Sequence, residues 1–137
     1  MNIFIDFNKL YPSINPFDFG YLKVDGHELY YEQFGNPNGI PVIFFHGGPG
    51  SGCFPEHRRL FDPKLFHGIF LDQRGSGRSK PYASTKNNTT QNLIGDFELL
   101  RKKLSIEKFI LFGGSWGSTL ALLYGIKYPN HCYGFVL

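Results

Sequence analysis

The sequence is poor in sulfur, with two cysteines, Cys53 and Cys132, and one methionine in 137 residues. Two cysteines neither make a disulfide scaffold nor hold a metal by themselves, and they point to a reducing, cytosolic setting. No apolar run approaches the roughly 20 residues that a membrane-spanning helix needs. Met1–Lys9 lacks a basic leader and its apolar stretch is broken by polar residues, so it does not read as a signal peptide. One-sided charge is also missing: the formal net charge of +3 is too small to argue for a nucleic-acid partner. The short basic pairs Arg58-Arg59 and Lys102-Lys103 read as solvated helix faces. The length is modest as well, since a single α/β domain often needs roughly 200–250 residues.

Glycine and aromatics are plentiful, with 17 glycines and 18% Phe, Tyr and Trp. The glycines and prolines punctuate a readable order of elements. Residues 1 to 19 form an irregular lead-in, and a domain is expected over residues 20 to 137. Tyr21–Val24 and Leu29–Phe34 flank Asp25-Gly26, a strong hairpin signal. Pro41–Phe45, Gly68–Leu71 and Phe109–Phe112 are continuous apolar runs of the kind found in strands buried on both faces. A short helix is expected near Glu56–Phe61. A longer one is capped by Thr89 or Thr90, with Leu93, Phe97, Leu100 and Leu104 on one face. Another helix runs from about Ser115 to Tyr128 and stops at Pro129, and Gly134–Leu137 begins a further apolar run. A hairpin followed by alternating strands and helices predicts a mainly parallel α/β sheet.

Two glycine-rich loops follow strands, so phosphate binding is the first chemistry to test. Gly47 to Gly52 has P-loop glycine spacing, but Cys53 stands where the lysine must be. Gly75-Ser76-Gly77-Arg78-Ser79-Lys80 fails the dinucleotide fingerprint at its last glycine, and no helix opens there. The other use of such a loop is to aim backbone N–H groups at an oxyanion. Gly113-Gly114-Ser115-Trp116-Gly117 is G-x-S-x-G between an apolar strand and a helix, the setting in which that motif lifts a serine out of a sheet. A glycine-rich strand-to-helix turn with a chance serine is the plain alternative. In acyl-transfer enzymes of this build, one oxyanion donor follows the nucleophile and another lies on the loop after an earlier strand. Here these are the Trp116 N–H and an N–H of Gly47 or Gly48.

His46-Gly47-Gly48-Pro49-Gly50, Asp72-Gln73-Arg74-Gly75-Ser76-Gly77-Arg78-Ser79, Asn88-Thr89-Thr90 with Asp96 and Glu98, and Gly113–Leu122 occur in one order over residues 20 to 137. This combination resembles the N-terminal portion of the proline iminopeptidases, prolyl aminopeptidases of the α/β-hydrolase superfamily. The resemblance implies release of N-terminal proline from peptides through a Ser-His-Asp triad without metal or cofactor. Ser115 would be the nucleophile, and Gly47, Gly48 and Trp116 the oxyanion hole. It also suggests a cis Gly48-Pro49 bond. An esterase of the same superfamily and a non-catalytic remnant are the competing readings. Haloalkane dehalogenases and epoxide hydrolases place Asp where Ser115 stands, which counts against them.

Several single residues carry two readings. His46 could be a base, but is expected to hydrogen-bond its own loop. Arg74 and Asp72 could contact substrate as an ion pair, but a fixed strand-end turn is favoured, with Arg74 satisfying nearby carbonyls or carboxylates. Cys53 is expected as small buried filler rather than a reactive thiol. The triad acid and base are missing: after Ser115 there is no Asp or Glu, and the one His is His131. A cap that selects proline would also lie beyond Leu137. These absences predict an inactive piece of a longer protein, with an exposed apolar sheet edge at Phe135-Val136-Leu137.

Overall fold

The computed structural model describes residues 9–137, so the reading of Met1–Lys9 as no signal peptide lies almost wholly outside the described residues. Six strands form one sheet: β1 (Asp18–Val24), β2 (His27–Gly35), β3 (Ile40–Phe45), β4 (Phe66–Leu71), β5 (Phe109–Gly113) and β6 (Cys132–Val136). Their spatial order is β1-β2-β4-β3-β5-β6. β1 and β2 pair antiparallel through the Asp25-Gly26 turn, and β2 pairs antiparallel with β4. From β4 through β3 and β5 to β6 every pairing is parallel. The predicted hairpin and mainly parallel sheet are therefore both present.

β3 and, apart from His67, β4 are free of polar side chains because each buries both faces. Ile43 and Phe45 of β3 point toward two helices, α1 (Thr90–Lys103) and α2 (Trp116–Lys127). Val42 and Phe44, on the alternate positions, pack with Phe34, Cys53, Phe61 and Phe70 on the other face. Phe45 stacks on Phe97 of α1 with centroids 4.1 Å apart. The Thr89 hydroxyl accepts the Asn92 N–H at 3.2 Å and so caps α1.

The short helix expected near Glu56–Phe61 is present as a 3₁₀ helix over Pro55–Leu60. One expectation needs correction. Arg58 is not on a solvated face: it is buried, and its guanidinium donates twice to Glu32 of β2, at 2.6 and 3.1 Å. Its neighbour Arg59 reaches the Tyr11 carbonyl, while Lys102 and Lys103 lie exposed as predicted. At the other end of the sheet Phe135, Val136 and Leu137 are 43%, 47% and 58% exposed, the apolar edge anticipated from the sequence.

α1 and α2 are joined by Glu98. Arg101 donates to it at 2.8 and 2.7 Å and the Tyr124 hydroxyl at 2.8 Å. The Arg101 hydrogen bonds hold its carboxyl down at about 2, against 4.5 ordinarily. The folded value lies below the unfolded one, so this stabilisation is complete above the unfolded value and disappears as pH falls from 4.5 toward 2. Urea unfolding at pH 7 and pH 3 should show Glu98→Gln with an acid loss smaller than the parent's by on the order of 2 kcal/mol.

Candidate active site

β5 runs into α2 through a single tight turn, and Ser115 is its apex. Ser115 has φ +56°, a left-handed conformation that only a fixed environment imposes on a non-glycine residue. It occupies the cap position of α2 without making a side-chain capping bond, and it is exposed. The flanking glycines are there for space. A β-carbon at Gly113 would overlap the Gly117 carbonyl, and one at Gly117 would overlap the carbonyl of Phe45. The helix thus starts hard against the ends of β5 and β3, leaving its first N–H, that of Trp116, without an intrahelical acceptor.

The end of β3 brings the second glycine-rich loop to the same place. A β-carbon at Gly47 would lie 3.3 Å from Ser115 Cβ and 3.8 Å from Ser115 Oγ, so the loop backbone passes directly beside the serine. Gly48 follows, exposed, and the Gly48-Pro49 bond is cis. The structure therefore gathers Ser115, Trp116 and Gly47, with Gly48 next along the loop, at the carboxyl ends of adjacent parallel strands.

His46 is fixed underneath them. It is fully buried, and its Nε2 accepts the Gln73 backbone N–H at 2.9 Å. Nδ1 must then carry the proton, which it donates to the Gly47 carbonyl at 2.9 Å. Burial pushes its pKa below the usual histidine value. With both nitrogens engaged, the ring stiffens its loop and is not free to serve Ser115 as a base.

Comparison with known proteins places this geometry. A family model described as alpha/beta hydrolase fold matches residues 40–137. The chain belongs to that family. It is 51% identical over 130 residues to a probable proline iminopeptidase of Leptolyngbya boryana, covering 94% of this chain and 40% of that protein. It is 50% identical over 135 residues to the proline iminopeptidase of Arabidopsis thaliana, covering 98% and 36%. The proline iminopeptidase-related protein of Thermus thermophilus superposes with a TM-score of 0.75 at 33% identity, over 86% of this chain and 42% of that one. The chain thus spans about two fifths of the relatives it matches. The resemblance to the N-terminal portion of proline iminopeptidases read from the motifs is supported by all three.

Within this α/β-hydrolase framework, the strand-end turn after β4 is fixed in the favoured way, with Arg74 held by nearby carboxylates and a carbonyl. Arg74 does not pair with Asp72. It donates to both oxygens of Asp96 at 2.7 Å, to Asp25 at 3.0 Å and to the Asn87 carbonyl. Asp72 instead takes Arg78, at 2.9 Å, and accepts the Cys53 backbone N–H at 2.8 Å. Arg78 also reaches Glu32 at 3.1 Å, so Asp72, Arg78, Glu32 and Arg58 form one charged chain below the Gly47–Cys53 loop. Sequence reasoning missed this chain because its members are scattered along the sequence. A run of polar residues directly after a buried strand was the available signal.

Cys53 is buried, and burial raises its thiol well above the usual value. It should resist iodoacetamide in the native protein and react on unfolding in urea, as mass spectrometry of the Cys53 peptide will report. His131 lies beyond the far end of α2 from Ser115 and bonds the Glu107 carbonyl at 3.0 Å. Among the described residues no group of three His, Cys, Asp or Glu is placed to hold a metal ion. No helix among them is long and apolar enough to cross a membrane.

Proposed function

We propose that this chain supplies the nucleophile and oxyanion hole of a serine aminopeptidase that releases N-terminal proline from peptides. One observation carries the reading: the Gly47 backbone lies against the Ser115 side chain, in a chain half identical to proteins named proline iminopeptidase. In this role Ser115 Oγ attacks the prolyl carbonyl, the shortened peptide leaves, and water hydrolyses the resulting ester. Negative charge on the carbonyl oxygen is met by the Trp116 N–H and by an N–H of Gly47 or Gly48, each such donor contributing roughly 3–4 kcal/mol to the transition state.

The serine proton needs a base, and the described residues offer none beside Ser115. His46 is locked in its loop, His131 is held at the far end of α2, and no Asp or Glu follows Ser115. Residues 20–137 are read as the N-terminal part of the hydrolase domain, and residues 1–19 as its lead-in. Two free cysteines suit a cytosolic place of action.

The test is a chimera in which residues 40–137 replace the matching segment of the Neisseria meningitidis proline iminopeptidase, 50% identical over 129 residues. The chimera should hydrolyse a prolyl arylamide, and residues 1–137 alone should not. A folded chimera without turnover, or Ser115-dependent turnover by residues 1–137 alone, would contradict the proposal.

A further inference from the structure

Gln73 joins the two halves of the candidate oxyanion hole. Its side-chain Nε2 donates to the His46 carbonyl at 2.9 Å, and its Oε1 accepts the Trp116 indole N–H at 3.3 Å. Its backbone N–H holds His46 Nε2, as described above, and the residue is 3% exposed. Both ends orient the amide the same way: a carbonyl needs the NH₂ group, and an indole N–H needs the oxygen. The His46 carbonyl belongs to the peptide bond that carries the Gly47 N–H. The indole belongs to the residue whose backbone N–H is the other donor. One side chain just past the end of β4 thus spans from the end of β3 to the start of α2.

We propose that Gln73 is a positioning residue that fixes the Gly47 and Trp116 donors relative to each other. Its catalytic consequence rests on the Ser115 reading given above, but the tie itself can be measured without chemistry. Trp116 is the sole tryptophan of the chain, so the indole N–H gives one resonance in an amide spectrum of the full chain. Gln73→Met, close in size, should move that resonance upfield and speed its exchange with solvent. Trp116→Phe should shift the Gly47 and Gly48 amide resonances in the parent and leave them nearly unmoved when Gln73→Met is already present. An unchanged indole signal in Gln73→Met, or equal Gly47 and Gly48 shifts in both backgrounds, would overturn the proposal.

Gln73→Glu separates a tie from mere filling of space. Its carboxylate can accept from the indole but repels the His46 carbonyl, whereas the protonated acid can serve both. The indole and Gly47 signals should therefore return toward the parent as pH falls, and pH-independent signals would contradict the tie. If Gln73→Met does not fold, the same double comparison is made with Gln73→Glu. An inactive chimera with the coupling intact would reject the peptidase reading and leave Gln73 in place; an active chimera without the coupling would do the reverse.

Discussion

Ser115→Ala in the chimera should lower kcat for a prolyl arylamide by about 10⁶-fold while leaving the protein folded, since removing the nucleophile of a serine triad costs on that order. The size follows from what the change removes. Alanine keeps the glycine packing of the elbow, and both proposed oxyanion donors are backbone groups that survive the substitution. Only the atom proposed to form the acyl bond is lost. Alanine at φ +56° carries some strain, but serine already tolerates that conformation here and the two side chains have similar backbone demands. A fall of only tenfold, measured under saturating substrate with stability confirmed by thermal unfolding, would show that Ser115 does not carry the reaction.

Gly117→Ala should have the largest effect on the fold. Its β-carbon would overlap the Phe45 carbonyl and stand 3.1 Å from the His46 carbonyl, and both are backbone atoms at the end of a central strand. Neither can rotate away as a side chain would. Relief requires α2 to lift from β3, which uncovers Leu120, Ala121 and Tyr124, all fully buried. Overpacking of a core ordinarily costs about 1–3 kcal/mol, and a clash between two fixed backbones should exceed that. Urea unfolding followed by circular dichroism should show Gly117→Ala destabilised by more than about 3 kcal/mol, or unfolded outright. Gly114→Ala is the control two residues before Trp116. No atom beyond its two chain neighbours lies within 4 Å of its added methyl, so it should fold with near-parental stability.

Much of this arrangement was legible in the sequence because it is written in local signals. The apolar runs at Pro41–Phe45, Gly68–Leu71 and Phe109–Phe112 became β3, β4 and β5 because strands covered on both faces carry no polar alternation. Asp25-Gly26 made its hairpin and Thr89 its cap, each by chemistry confined to a few residues. The adjacency of Gly47 and Ser115 followed from parallel strands ending together, which glycine-rich loops after β3 and β5 already implied. What escaped was set by distant partners. Arg58 looked like half of a solvated pair until β2 brought Glu32 beneath it. Arg74 was expected to meet carbonyls or carboxylates, but not which ones, since Asp96, Asp25 and the Asn87 carbonyl lie in other segments and Asp72 turns to Arg78. Gln73 gave no local sign of its use, since each of its three hydrogen bonds leads to another segment of the chain.

Covalent capture decides whether Ser115 is the proposed nucleophile facing the proposed oxyanion hole. The chimera is treated with diisopropyl fluorophosphate, digested, and its peptides weighed by mass spectrometry. One phosphoryl adduct is expected, on the peptide containing Ser115, with prolyl arylamidase activity lost in proportion to its formation. Inactivation with the adduct on any other residue, or full activity retained while Ser115 is modified, would contradict that role.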